Sequence, residues 1–591
     1  MKKELDEILL RVQKPARYMG NEVNMTKKDP DKVNVRVALC FPDIYEIGMS
    51  HLGIRILYHV MNMMEDVYCE RAFTPFTDME QELVKNHIPL FSLETRSPLS
   101  AFDFLGFTLQ YELSYTNVLN MLKLSDIPVL SCDRTDEHPL VMAGGPCASN
   151  PEPLSEIMDF FVIGESEEAI VEILEAYKDH KEKGSRRRDF LLKVSSIEGV
   201  YVPSRISGKV KKRIIKDLDA SAYPLAPIVP YMQIVHDRAV LELFRGCIRG
   251  CRFCQAGYIY RPVREKNVDV LLKQAEEIIR STGYEEISLA SLSTSDYSKM
   301  KELCEGLLPS AKKNHVNLSL PSLRVDSFSL ELLKSVQNDR KSGLTFAPEA
   351  GTQRLRDVIN KGICEEDIID SAGLAFRYGY RTIKLYFMLG LPTETMEDVE
   401  GISLLVDKII EKYRETTGRR SGLVINVSTA FFVPKPFTPF QWEAQESMDG
   451  YLAKTELLKK KLNRKFVHYS WHDPRTGYLE ALLARGDRKV GRVIIEAFNR
   501  GCKLDAWNEF FDFESWMEAC AKVGVDPEWY VRRERDVKEE LPWDIVDIGV
   551  SKEFFIKERM RAYREEQTVN CREGCADCGL LSLGVGECVK R

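Results

Sequence analysis

No apolar run in the 591 residues approaches the roughly 18 to 20 that cross a bilayer, and the opening MKKELDEILL has no apolar leader core. Both absences argue against a membrane partner and lead to the expectation of a cytoplasmic protein. Charge of one sign is also missing. The chain carries 83 Lys and Arg against 90 Asp and Glu, a net charge of -7 and a pI near 5.9, so no global field draws it to nucleic acid. An RNA or ribonucleoprotein partner gains no support. Histidine is scarce, at nine residues, and no Ser-His-Asp order, phosphate loop or fixed repeat emerges. His468 and His472 straddle YSW at a spacing that shares one side of a helix, and read as packing or surface residues. Cysteine, by contrast, is plentiful: fifteen residues, in two tight clusters with the rest scattered. Cys40, Cys69, Cys132, Cys304 and Cys520 read as packing residues. The pattern suits a reducing compartment better than a disulfide framework.

A chain this long implies roughly two to four domains. From Val35, short apolar runs (VRVALCF, DFLGFTL, LVMAGG, DFFVIGE) alternate with helical segments from Ser50 and from Asn117 to Leu124, the pattern of an open, largely parallel α/β sheet. Gly144 and Gly145 end one such strand and permit close approach of a ligand. The charged KDHKEKGSRRRD reads as a solvated helix end, YVPSRISGKVKKRIIKD as a hairpin, and the stretch with Pro224, Pro227 and Pro230 as a connection. Six further strands follow: AVLELF, EEISLAS, VNLSLPS, GLTFAPE, TIKLYFMLG and LVINVSTAFFV. With their helices they predict a partial barrel whose chemistry lies at the strands' carboxyl ends.

The first of those strands runs into CIRGCRFC, with Cys247, Cys251 and Cys254 at C-x3-C-x2-C spacing. Three soft thiolates on one loop suit three irons of a cubane cluster and leave the fourth iron open. A structural zinc site closes its tetrahedron with four ligands, and a disulfide joins only two cysteines. The motif, with Phe253 before its last cysteine, resembles the signature of the radical S-adenosylmethionine (radical SAM) superfamily over roughly residues 240–442. That resemblance implies a 4Fe-4S cluster, S-adenosylmethionine chelated at the open iron, and reductive cleavage to a 5'-deoxyadenosyl radical that takes a hydrogen from substrate. It also implies a flavodoxin or ferredoxin as electron donor.

Further residues follow from the same resemblance. Ser291, Ser293 and Thr294, with Asp296, stand where these proteins carry a Gly-Gly-Glu-like motif for the methionine amino group, although the glycines are absent. Ser322 and Arg324 on the third strand suit a carboxylate. Glu349 in APEAGTQRLRDVINKG suits a ribose hydroxyl, and Gly390 in GLPTET corresponds to the turn near adenine. PKPFTPFQW resembles a sixth-strand ending. Each has a plain structural alternative as a cap, an ion pair or a turn.

The segment from Gly144 to Ile170 resembles the cobalamin-binding-like domain preceding the barrel in one radical SAM group, which implies cobalamin near Gly144 and Gly145. MSHLG does not reproduce the D-x-H-x-x-G cobalt-ligand motif, so His51 is expected in a first helical turn after Ser50. A degenerate domain without cobalamin is the alternative. Cys571, Cys575 and Cys578 repeat the C-x3-C-x2-C spacing and Cys588 follows, far along the chain from the barrel's first strand. They suit an auxiliary iron-sulfur cluster or a closed zinc site.

The expected fold is therefore α/β: an open Rossmann-like, cobalamin-binding-like sheet, a partial (βα)6 barrel, and a mainly helical C-terminal region with a cysteine-rich tail. The boundaries are 1–34 for an extension, 35–180 for the first domain, 181–232 for linker and hairpin, 233–445 for the barrel and 446–591 for the remainder. The expected activity is that of a radical SAM enzyme, with methyl transfer if cobalamin binds. Sulfur insertion or rearrangement is the alternative chemistry, and a non-catalytic iron-sulfur adaptor the alternative class.

Overall fold

The computed structural model describes residues 2–205, 208–319 and 343–583; Ser322, Arg324 and Cys588 lie outside the described residues. The N-terminal sheet contains β1 (Val35–Phe41), β2 (Val67–Phe73), β3 (Phe104–Thr108), β4 (Leu140–Gly144), β5 (Phe160–Val162) and β6 (Val200–Tyr201), in the order β2-β1-β3-β4-β5-β6. The first five run parallel and β6 runs antiparallel on β5. Continuous apolar runs such as VRVALCF suit strands covered on both faces. The order 2-1-3-4-5 is that of flavodoxin-like sheets, which bind ligands where the winding reverses between β1 and β3.

The strand β2 was not foreseen, because VYCERAF carries two charges in its middle. Both are buried and paired. Arg71 meets Glu22 at 2.8 Å and Glu94 at 2.7 Å, and Glu70 meets Arg36 at 2.6 Å. The expected hairpin does not form among the described residues. Its first arm is β6, whereas its second, β7 (Val210–Lys211), pairs in parallel with Val546–Asp547. Each arm completes a different sheet edge instead of the other arm.

The barrel strands are β8 (Ala239–Glu242), β11 (Glu286–Ala290) and β12 (Asn317–Ser319), joined in the order β12-β11-β8, and β13 (Leu344–Glu349), β14 (Thr382–Leu389), β15 (Val424–Phe431) and β16 (Val467–Trp471), joined in that order. A small antiparallel pair, β9 (Phe244–Arg245) and β10 (Arg264–Glu265), flanks the cysteine loop. All six expected barrel strands form, and β16 adds a seventh, parallel to β15. His468 therefore lies on a strand and His472 just after it, not on a helix; the aromatic run VHYSW suits a pleated surface. Alternate residues of β14 (Ile383, Leu385, Phe387, Leu389) pack on the helix Met396–Thr417. Met388, on the other face, lines a cavity of about 300 Å³ with Phe253 of the cysteine loop.

The C-terminal helices are not an appendage. Val490, Val493 and Ile494 of Arg488–Asn499 and Trp516 of Phe513–Val523 share one core with Leu119 and Leu122 of the N-terminal domain. A Cβ at Gly491 would stand 2.5 Å from the Pro153 carbonyl, so glycine allows this helix to approach so closely. Among the described residues no helix is long and apolar enough to cross a membrane.

Candidate functional site

Gly246, at φ +86°, turns the chain from β9 into the cysteine loop; a Cβ there would meet the Pro262 carbonyl at 2.5 Å. Cys247, Cys251 and Cys254 are free thiols at intermediate exposure. The Cys254 N–H donates to the Cys251 carbonyl at 3.2 Å and the Gly257 N–H to the Cys254 carbonyl at 3.1 Å, turns that coil the loop around its thiols. Burial, reinforced by Cys251, pushes Cys247 up to about 11 and Cys254 up to about 12. Such thiols stay protonated at neutral pH unless a metal takes the proton's place. Among the described residues no three His, Cys, Asp or Glu side chains close on a single metal ion. The donor set of three thiols on eight residues fits a cubane in which one thiolate holds each of three irons and the fourth iron is left for another ligand.

Distant segments hold the loop in place. Arg252 is fully buried; its Nε donates to Glu558 at 3.1 Å and its guanidinium also donates to the carbonyls of Val358 at 2.9 Å and Glu566 at 2.7 Å. Asn360 donates to the Gly250 carbonyl at 3.1 Å and accepts from the Thr568 N–H at 2.9 Å. The N–H of Cys571 donates to the Ile248 carbonyl at 3.1 Å. The second cysteine set, far from the first in sequence, thus packs directly on the first loop. Cys575 is exposed, and Cys571 and Cys578 are at intermediate exposure.

The loop after β11 meets the same centre. Asp296 accepts from the Arg249 Nε at 2.8 Å and from the Ser293 hydroxyl at 2.6 Å, while Thr294, fully buried, bonds Ser291 at 3.1 Å. Ser293 and Thr294 therefore shape the loop, and Ser291 lines the cavity described below. Glu349 ends β13 in the left-handed region at φ +66° and pairs with Lys361 at 3.1 Å; the Lys361 ammonium stands 6.0 Å from the Phe253 ring. Gly390, at φ +85°, donates its N–H to Glu394 at 2.7 Å.

A cavity of about 430 Å³ lies between the carboxyl ends of the N-terminal sheet and the barrel. His51, Gln110, Gly145 and Ser166 line it on one side, and Gly246, Arg261 and Ser291 on the other. Gly144 lies one residue behind, where a Cβ would be 3.8 Å from the Ser166 hydroxyl; at Gly145, φ +98°, a Cβ would meet the Leu109 carbonyl at 2.6 Å. A second hollow, of about 980 Å³, shares Glu167, Lys212, Arg213 and Ile214 with the first. His51 sits directly before the helix Leu52–Met63, and burial pushes its imidazole down to about 4. Its Nδ1 is buried without a hydrogen-bond partner. Lys212, in a segment expected to be a hairpin, also lines the cavity; burial, and then the Arg264 charge, push it down to about 7.

Residues 241–406 match the family described as the radical SAM superfamily, and residues 53–203 match the one described as radical SAM proteins, N-terminal. An uncharacterized protein of Methanocaldococcus jannaschii is 29% identical over 468 residues, covering 78% of this chain and 91% of its own. The anaerobic magnesium-protoporphyrin IX monomethyl ester cyclase of Cereibacter sphaeroides is 24% identical over 387 residues, covering 58% of each chain. Among solved structures, the radical S-adenosylmethionine methyltransferase TsrM of Kitasatospora setae, with cobalamin and a 4Fe-4S cluster bound, aligns at TM-score 0.46 and 15% identity, covering 68% of this chain and 73% of its own.

Proposed function

The chain belongs to the radical SAM superfamily, and on that footing we propose that it is a cobalamin-dependent enzyme that transfers a methyl group to an unactivated carbon. Its cofactors as a radical SAM enzyme are a 4Fe-4S cluster and S-adenosylmethionine, which together supply a 5'-deoxyadenosyl radical. Cys247, Cys251 and Cys254 hold the cluster. Arg249 and Arg252, each paired to a carboxylate from another segment, fix the loop that carries these thiols. Ser291, Glu349 and Gly390 stand at strand ends where S-adenosylmethionine would be held, and Phe253 of the cysteine loop lines the smaller cavity.

The observation that carries the cobalamin reading is the cavity at the winding reversal of the N-terminal sheet, open toward the barrel. Its continuation into the larger hollow offers room for a ligand with an extended tail. The orphaned Nδ1 of His51 is a polar group that a ligand would satisfy. A flavodoxin or ferredoxin as electron donor and a cytoplasmic location belong to the same reading, since the cluster chemistry needs a reducing compartment.

Ser166 lines the cavity and makes no capping hydrogen bond to the helix it precedes, so Ser166→Trp fills the space at no cost to that cap. After anaerobic reconstitution with iron, sulfide and hydroxocobalamin, the variant is expected to retain cobalamin at least about tenfold more weakly, with cluster iron unchanged. Equal retention by variant and parent would place cobalamin elsewhere or nowhere.

A further inference from the structure

Arg261 is buried, and among the described residues no carboxylate pairs with it. One guanidinium nitrogen donates to the Arg249 carbonyl at 2.7 Å, the guanidinium carbon lies 4.8 Å from the Tyr258 ring centre, and the Nε has no hydrogen-bond partner. The groups that act on its charge are Tyr258 first, then Cys571 and Cys578 from one cysteine set and Cys247 from the other. A guanidinium does not shed its proton to escape burial, and leaving it buried and uncompensated is costly. Anionic sulfur in the two cysteine sets would compensate it, and metal-bound thiolates are such sulfur.

The second set has the same construction as the first. It repeats the C-x3-C-x2-C spacing. The Asp577 N–H donates to the Cys575 sulfur at 3.4 Å. Arg572, between Cys571 and Cys575, pairs with Glu265 at 2.8 Å and donates to the Asp296 carbonyl, which ties the tail to both loops around the first centre. The Cys571 N–H bond to Ile248 places the two sets one residue apart at their nearest backbone contact.

We infer that Cys571, Cys575 and Cys578 hold a second iron-sulfur cluster against the loop of the first, with Arg261 between the two as a shared counter-charge. The inference rests on the cluster assignment to Cys247, Cys251 and Cys254. Removing a positive charge disfavours the more negative, reduced state of any cluster beside it, so one substitution at Arg261 acts on both centres.

The test is anaerobic reconstitution with iron and sulfide, followed by iron, sulfide and zinc counts and by electron paramagnetic resonance after dithionite reduction. The parent chain is expected to bind about eight irons, and each triple Cys→Ala variant, of the first set or of the second, about four. If the second-set variant retains as much iron as the parent, the inference is wrong. If instead the first-set variant does, the assignment beneath it is wrong. Should the second-set variant not fold, the first-set variant decides alone, because an iron-free product contradicts a second cluster. One zinc per parent chain in place of the extra irons also overturns it. With both clusters loaded, Arg261→Met is expected to lower both reduction midpoints and Arg261→Lys to restore them; a shift confined to one centre would remove Arg261 from its shared role.

Discussion

His51 stands in the cavity wall as a neutral imidazole, pushed down to about 4 by burial. An unfolded histidine titrates near 6.5, so its contribution to stability is intact above that pH and declines as the pH falls toward 4, by about 3 kcal/mol in all. Thermal unfolding of the apoprotein should therefore show the parent losing ground to His51→Gln between pH 6.5 and 4.5. A difference between the two that does not change with pH would contradict the burial argument. The cysteines were legible at this scale because cluster ligation is local: eight residues carry both the donors and their spacing. Their supports were not. Arg252 meets Glu558 across 306 residues and Arg249 meets Asp296 across 47, and nothing local distinguishes these arginines from surface ones. Ser293 and Thr294 were legible as a polar loop, but not as groups that bond within it.

The helix Lys552–Tyr563 is the element that clamps the two cysteine sets together, because Glu558 takes both the Arg252 Nε and the Thr568 hydroxyl at 2.8 Å. Glu558→Ala leaves a buried guanidinium unpaired, a change that costs about 3–5 kcal/mol. Hydrogen exchange should then rise together in 247–254 and in 566–578. An increase confined to the helix itself would show that the clamp is not shared. The apolar barrel strands were readable because their buried faces demand Val, Ile and Leu in short runs. The strand β2 was not, since Glu70 and Arg71 interrupt its pattern and their partners lie elsewhere in the chain. The expected hairpin failed for a related reason: two strand-like arms with a turn between them do not reveal which sheet edges stand open elsewhere.

Across the whole molecule, the two α/β units meet at the carboxyl ends of their sheets, where ligands gather in both architectures. The C-terminal region closes the assembly twice, through a core shared with the N-terminal domain and through the tail on the cysteine loop. Sequence patterning gave the order of these units but not their docking, because docking depends on contacts such as Gly491 on Pro153 that no periodicity encodes. The central claim is that the loop from Cys247 to Cys254 makes this chain a radical SAM enzyme. Its most direct test is 5'-deoxyadenosine production from S-adenosylmethionine by the anaerobically reconstituted, reduced protein, beside Cys251→Ala prepared identically. The account predicts product from the parent and a loss to the no-enzyme background in the variant; undiminished product from the variant, or none from a fully loaded parent, would contradict it.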